Sequence, residues 1–188
     1  PDNTSMTTVY DNGSMTSTAP TGAVATSSEA PDPRFGLVAG IPSATVQNTP
    51  GGLTLTSTSA ETAVLLDPND PFSLVTLTNT VVTNGRTDQS VYDAATKTFT
   101  VTSAGGRTSS TTIDSLGRPV EEHITGLEGA YATYDGRGRV ATVTSGSGGS
   151  ARTTTFAYNA AGYLASVTDP LGRVVSFEYD LSGRVSKQ

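Results

Sequence analysis

The chain is 188 residues long and only 15% of them are charged; 11 Lys and Arg stand against 17 Asp and Glu, for a formal net charge of −6. This balance offers no basic patch to nucleic acid or to an anionic membrane surface, the lack of cysteine excludes disulfides and thiolate chemistry, and no apolar run is long enough to cross a bilayer as a helix. The length suits one large β domain or a slice of a longer array, and both ends read as cut from something longer, an excerpt or a processed product.

Residues 1–30 are rich in Thr, Ser and Ala, a linker-like composition, with Tyr10-Asp11-Asn12-Gly13 resembling a turn. This segment is expected to be ordered by packing. Residues 31–84 read as a β-hairpin region. Pro31-Asp32-Pro33-Arg34-Phe35-Gly36 is a boundary turn, Asn48-Thr49-Pro50-Gly51-Gly52 separates Thr45-Val46 from Leu53-Thr54-Leu55-Thr56, and Asp67-Pro68-Asn69-Asp70-Pro71 separates residues 63–66 from 74–83. No stretch keeps the 3.6-residue period of a helix over a useful length.

Residues 85–188 carry a repeat. An aromatic or β-branched residue, Asp or Asn, two variable residues and Gly recur as Ile113-Asp114-Ser115-Leu116-Gly117-Arg118, Tyr134-Asp135-Gly136-Arg137-Gly138-Arg139, Tyr158-Asn159-Ala160-Ala161-Gly162-Tyr163, Thr168-Asp169-Pro170-Leu171-Gly172-Arg173 and Tyr179-Asp180-Leu181-Ser182-Gly183-Arg184. Gly162, Gly172 and Gly183 stand 10 and 11 residues apart, and Gly117 and Gly138 stand 21 apart. Gly138 and Gly162 are 24 apart, three more than a double unit, and Gly146-Ser147-Gly148-Gly149-Ser150 accommodates the excess. Weaker copies place Asp93 before Thr96 at the glycine position, then Gly106, and Gly85. A repeat this short means strands joined by tight turns.

Each letter has a physical task. The Asp or Asn accepts backbone N–H groups two or three residues on, the next two residues take type I angles, and Gly closes the hairpin through a bulge. The Arg begins the next strand, where its stem can lie along a neighbouring ring while its guanidinium stays wet or pairs with an acid. Between turns, Ala141, Val143, Phe156, Tyr158, Ala165, Val167, Val175, Phe177 and Tyr179 fall on one parity; Thr142, Thr144, Thr153, Thr155, Ser166, Ser176 and Glu178 fall on the other. One dry face and one hydroxyl-rich face follow. The fold class is therefore all-β, an antiparallel β-hairpin repeat ribbon. Ten turns between Gly85 and Gly183 would give a ribbon about 48 Å wide at ~4.8 Å per strand, a width at which sheets curl, split or are flattened by stacking.

Catalytic constellations are sparse. His123 is the only histidine, beside Glu121 and Glu122, and one imidazole without ligand-spaced partners makes a poor zinc site; it reads as a surface-strand residue. No G-x-S-x-G turn presents a nucleophile. Asp67 to Asp70 lacks the spacing of an EF-hand, and Gly146 to Gly149 is not followed by the Lys-Ser or Lys-Thr of a phosphate cradle. Tyr92, Tyr134, Tyr158 and Tyr179 sit at the last strand position, where rings cover hairpin ends and hydroxyls can reach water. Tyr10, Tyr131 and Tyr163 lie outside that position and are the better glycan candidates. The expectation is no enzyme, no cofactor and no metal, with Asp93, Asp114, Gly117, Arg118, Tyr134, Asp135, Gly138, Arg139, Tyr158, Asn159, Gly162, Asp169, Gly172, Arg173, Tyr179, Asp180, Gly183 and Arg184 as structural turn residues.

The pairs Tyr134-Asp135 and Tyr179-Asp180, with Asp169-Pro170-Leu171-Gly172-Arg173 on the same ruler, resemble the YD repeats of RHS-repeat proteins, a group that includes toxin-complex C subunits and teneurins. The resemblance runs from Pro31 to Gln188 and is strongest from Ile113 onward. It implies a β-ribbon that curves as a section of a spiralling shell, enclosing a toxic C-terminal polypeptide in bacteria and supporting cell-surface contacts in teneurins. It further implies the rest of the same RHS polypeptide or an enclosed toxin as partner, and a secreted or cell-surface location reached through a bacterial secretion system. Asp169-Pro170-Leu171-Gly172 leads into another ordinary repeat and reads as a turn, not as the aspartyl self-cleavage site of encapsulating members. The rival reading is an extracellular adhesion module that binds a carbohydrate or a partner protein on the hydroxyl-rich face, or a self-assembling surface β structure. Open sheet edges suggest homo-association as well.

Overall fold

The structure, a computed structural model, describes residues 4–188; residues 1–3 of the Thr/Ser-rich segment lie outside the described residues. The chain divides into two compact units, residues 1–108 and 109–188. In the first, β1 (Met6–Val9), β2 (Met15–Thr18), β3 (Val24–Asp32), β4 (Gly36–Asn48), β5 (Thr54–Leu65), β6 (Leu74–Thr83), β7 (Arg86–Asp93) and β8 (Thr98–Thr102) pair antiparallel in chain order. The hydroxyl-rich N-terminal residues thus make strands, and the Pro31–Gly36 region turns β3 into β4. There Asp32 accepts the N–H groups of Arg34 (2.7 Å) and Phe35 (3.0 Å). Burial is the largest single influence and works to raise its pKa, but these two amides and the Arg34 guanidinium together outweigh it and the net shift is downward.

Asn84 and Gly85 join β6 to β7 with φ of 47° and 79°, the two left-handed residues that a type I′ hairpin requires. Asn84 is also stitched to β5: its N–H donates to the Thr56 carbonyl (2.9 Å) and its Oδ1 accepts the Thr56 N–H (2.8 Å). The next turn departs from the spacing rule. Thr96 falls at the expected glycine position, but the left-handed residue is Lys97 (φ 55°). Asp93 pairs directly with Thr98, so four residues fill the loop and the corner moves one place on. Asp93 Oδ1 instead takes the Thr96 N–H (2.8 Å) and hydroxyl (3.0 Å), which lowers the Asp93 pKa.

The second unit holds β9 (Thr108–Ile113), which begins at the boundary, then β10 (Pro119–Ile124), β11 (Ala130–Tyr134), β12 (Val140–Ser145), β13 (Arg152–Tyr158), β14 (Leu164–Thr168), β15 (Val174–Ser176), β16 (Glu178–Tyr179) and β17 (Val185–Lys187). The surplus of three residues appears as a single 3-10 turn at Gly148–Ser150. β9 to β15 pair antiparallel in sequence, and β16 pairs with β17. In effect 174–179 is one run of chain whose first half pairs with β14 and whose second half pairs with β17. Across the described residues there is no α-helix.

Neither unit has an apolar interior. Among the described residues no hydrophobic side chain is buried, and Asp32 is the buried polar one. Alternation survives in β13, where Thr154, Phe156 and Tyr158 are half-buried while Thr153 and Thr155 are exposed. It fails in β12, where Val143 is 40% exposed and Thr142 and Thr144 are half-buried. Within each unit the described strands pack mainly against their ladder neighbours, so hydrophobic burial contributes less per residue than in a two-layer domain.

Two glycines of one turn test the conformational requirement. Gly138 has φ +82°, whereas Gly136 has no positive φ and a Cβ there meets nothing within 4 Å. Gly138→Ala should cost about 1–2 kcal/mol through left-handed strain, and Gly136→Ala should be neutral or stabilise by about 0.4–1 kcal/mol through the unfolded chain. Urea unfolding measures both; equal losses would contradict this reading of the turn.

Candidate functional site

The site-like feature of this chain is a set of turn contacts in the second unit; the turns at 114–117, 135–138, 159–162 and 180–183 share one end of the antiparallel strands, and the turn at 169–172 lies at the other. The N–H of Asp114, Asp135, Asn159, Asp169 and Asp180 donates to the carbonyl four residues on, and the N–H of Gly117, Gly138, Gly162, Gly172 and Gly183 donates back to the acid position. Since that glycine N–H is already engaged, the side chain reaches the amides two and four residues on, where the spacing suggested two or three. Asp135 Oδ1 accepts Arg137 N–H (2.9 Å) and Arg139 N–H (3.0 Å), leaving Oδ2 for the Arg139 guanidinium (Nε 2.8 Å, Nη2 2.6 Å). Asp114 with Arg118, Asp169 with Arg173 and Asp180 with Arg184 repeat the pattern at 2.8, 2.5 and 2.8 Å to Nε. Asn159 keeps only the Tyr163 N–H (3.0 Å).

Each such pair holds its acid ionised. The Arg139 guanidinium first, and the Arg139 amide next, bring Asp135 down to a pKa of about 2. Amide donation leads in lowering Asp114, Asp169 and Asp180, with the paired Arg adding to it.

The arginine then acts on the next hairpin. The Arg118 guanidinium carbon lies 4.2 Å from the centroid of the Tyr134 ring, and Arg139 lies 4.1 Å from Tyr158. The ring is pinned at its far end too: Tyr134 Oη donates to the Pro119 carbonyl (2.7 Å), Tyr158 Oη to Val140 (2.9 Å) and Tyr179 Oη to Leu164 (2.9 Å). Every one of these carbonyls belongs to the residue after the stacking side chain. Tyr163 takes the arginine's place in the third contact and stacks on Tyr179, centroids 4.9 Å apart at 25°. A Cβ at Gly183 would lie 2.6 Å from Tyr163 Oη, so glycine also admits the neighbouring hairpin's side chain. Asp and Arg close one turn, and Arg and Tyr lock it to the next.

The sequence points to an Arg stem lying along a ring; in the structure it is the guanidinium itself that lies over the ring. Sequence reasoning missed that the tyrosine hydroxyls bind backbone rather than water. A signal existed: Arg118 and Tyr134 are 16 residues apart, as are Tyr163 and Tyr179, while Arg139 and Tyr158 are 19 apart, the same three-residue surplus as between the glycines.

The other candidates are placed as follows. Tyr163 is committed to Tyr179. Tyr131 meets His123 edge to face, centroids 5.8 Å apart, and Tyr10 opens the β1–β2 turn, half-exposed. His123 Nε2 binds Glu121 (2.7 Å), and its ring lies so close to Gly129 that a Cβ there would sit 2.6 Å from Cε1. Asp67 and Asp70 close their own turns on the N–H groups of Asn69 and Phe72, each at 2.9 Å. Among the described residues no group of three or more His, Cys, Asp and Glu is arranged to hold a metal ion.

Successive antiparallel hairpins, metered by acid-to-glycine turns and joined by one recurring contact, define a β-hairpin repeat protein. The family model for the RHS Repeat matches residues 134–173 and 158–188. Residues 134–188 of this chain are thus RHS/YD repeats. No curated protein sequence matches the chain. Among solved structures it is similar to the TcdB2-TccC3 complex without its hypervariable C-terminal region, at 11% identity and a TM-score of 0.63, covering 96% of this chain and 10% of that one. A Photorhabdus luminescens Tc holotoxin pore carrying a TccC3 mutation aligns at 13% identity and a TM-score of 0.45, over 96% of this chain and 11% of that one. The first of these establishes a shared fold. The chain spans about a tenth of the length of the structures it matches.

Two outcomes are expected. Tyr158→Phe keeps the ring but loses the bond to Val140, and should cost about 0.5–1.5 kcal/mol in urea unfolding; no loss would mean that the hydroxyl exchanges freely with water. Acid should weaken the fold. The paired aspartates titrate lower when folded, so their contribution is complete above the unfolded value of about 3.9 and is lost as pH falls toward the folded value of Asp135, about 2. Urea midpoints across that window should fall, and fall less steeply for Asp135→Asn; identical slopes would contradict the assignment.

Proposed function

We propose that this chain is a section of an RHS-type β shell that encloses or presents a polypeptide cargo such as a toxin. The observation that carries the reading is a repeat sheet with no buried apolar side chain among the described residues, joined to the fold likeness with a toxin-complex structure. A wall needs backbone pairing and hairpin-to-hairpin locks, and it leaves a face for something else. Its action is steric, keeping proteases out and cargo in, and the chain takes no catalytic part. The partners are the rest of the same polypeptide and the enclosed segment, outside the producing cell.

Exposure of the turn arginines at both strand ends supports continuation into further repeats. Arg118 and Arg139, which lie under rings, have 29% and 27% of their side chains exposed, whereas Arg173 and Arg184, equally well paired to their aspartates, have 77% and 79% exposed. These two guanidiniums are set to receive rings from the next strands. The second reading, an adhesion or carbohydrate-binding module, is favoured by Thr133, Thr142, Thr155 and Thr168, which stand in register across β11 to β14 as an uncharged hydroxyl row.

Protection of cargo tests the shell directly. In the full-length parent polypeptide, the segment that follows the repeats should resist added protease, and Gly138→Val combined with Arg139→Ala should expose it; cargo digested at the same rate in the parent and the variant would overturn the proposal. Phenylglyoxal labelling offers a second check. Arg173 and Arg184 should react faster than Arg118 and Arg139 in this chain, and should slow to match them in the parent. Unchanged reactivity in the parent would remove the support drawn from exposure.

A further inference from the structure

Two Asn-Gly pairs occur in the chain, both at hairpin tips, and the fold holds them in opposite ways. Asn12-Gly13 turns β1 into β2, and Asn84-Gly85 turns β6 into β7. The Asn84 carboxamide is drawn sideways onto β5, where its oxygen accepts the Thr56 N–H (2.8 Å) and hydroxyl (3.5 Å) while its backbone N–H also binds Thr56. The Asn12 carboxamide folds forward instead. Its oxygen accepts the Ser14 N–H (3.0 Å) and the Ser14 hydroxyl (2.7 Å), an Asx turn whose closed ring of atoms includes both Asn12 Cγ and the Gly13 nitrogen. Asp11, Asn12 and Gly13 are all exposed.

We propose that Asn12 is a self-modifying site that converts to aspartate and isoaspartate in the folded protein. The Gly13 nitrogen forms a bond to Asn12 Cγ, the bond from Cγ to Nδ2 breaks, and ammonia leaves with the proton that the Gly13 nitrogen gives up. Water then opens the five-membered imide at either carbonyl. Amide and water become carboxylate and ammonium, and nothing is oxidised or reduced. The two Ser14 donors already sit on the oxygen that gains charge as the nitrogen adds, which stabilises the tetrahedral intermediate. Glycine presents no side chain to the approach, and a Cβ there would meet no atom within 4 Å. The Gly13 N–H donates to the Tyr10 carbonyl (2.9 Å), and at an exposed tip water replaces that partner when the nitrogen turns. At Asn84 the same step requires peeling the turn away from Thr56.

The product places a second carboxylate beside Asp11, and the isoaspartyl form adds a backbone carbon within the turn closed by Tyr10 N–H and the Ser14 carbonyl. The β1–β2 hairpin should loosen as the protein ages, and the altered linkage becomes a substrate for an isoaspartyl O-methyltransferase.

The intact chain, incubated at mildly alkaline pH and sampled by peptide mapping, tests this. Asn12 should convert about tenfold faster than Asn84, a barrier difference of ~1.4 kcal/mol, with methyl transfer from an isoaspartyl methyltransferase appearing in the Asn12 peptide. In urea the two rates should converge. Ser14→Ala should slow Asn12 several-fold and leave Asn84 unchanged. Asn84 keeping pace with Asn12 in the folded chain, a gap that persists in urea, or an indifferent Ser14→Ala would each overturn the proposal.

Discussion

A sheet that buries no apolar side chain among its described residues cannot rely on a core, so the cohesion between one hairpin and the next must come from contacts within the sheet. In the second unit that role falls to the Arg–Tyr contact. Backbone ladders align the strands, yet ladder hydrogen bonds contribute little net free energy when water competes for the same groups. A guanidinium over a ring adds about 0.5–2 kcal/mol depending on how dry the site is, and it does so in one register. The Asp closes the turn, thereby fixes the Arg, and the fixed Arg seats the next Tyr, whose hydroxyl returns to the backbone of the hairpin before.

This dependence explains why the repeat tolerates some changes of letter. At Asn159 the acid is neutral, and the residue after the glycine is Tyr163; without a carboxylate there is no charge to orient a guanidinium, and a ring stacked on Tyr179 does the same mechanical work. Asn and Tyr replace Asp and Arg together. At Asp93 the frame loosens in another way, with the left-handed corner displaced to Lys97, and there Asp93 is held mainly by the Thr96 amide and hydroxyl.

Much of this was legible in the residues. The even glycine ruler identified the turns at residues 114–118, 135–139, 159–163, 169–173 and 180–184, and the surplus at Gly146–Ser150 became a short 3-10 turn, because turn chemistry is local and each letter has one backbone task. Strand β3 was hidden behind the linker-like composition of residues 1–30, since Ser and Thr serve strands and linkers alike and only cross-strand pairing tells them apart. Alternation assigned Tyr134, Tyr158 and Tyr179 to a face but could not say where their hydroxyls end, which depends on register with the preceding strand. Tyr163 read as a free ring for the same reason: its partner is 16 residues away.

The most direct measurement is a double-mutant cycle at one lock, with Arg139→Ala, Tyr158→Ala and the pair compared by urea unfolding. If the locks hold successive hairpins together, the two losses should fall short of additivity by about 0.5–2 kcal/mol, and hydrogen exchange should quicken at β12 and β13 together in either single variant. Strictly additive losses, with exchange altered only in the strand that carries the substitution, would contradict the account.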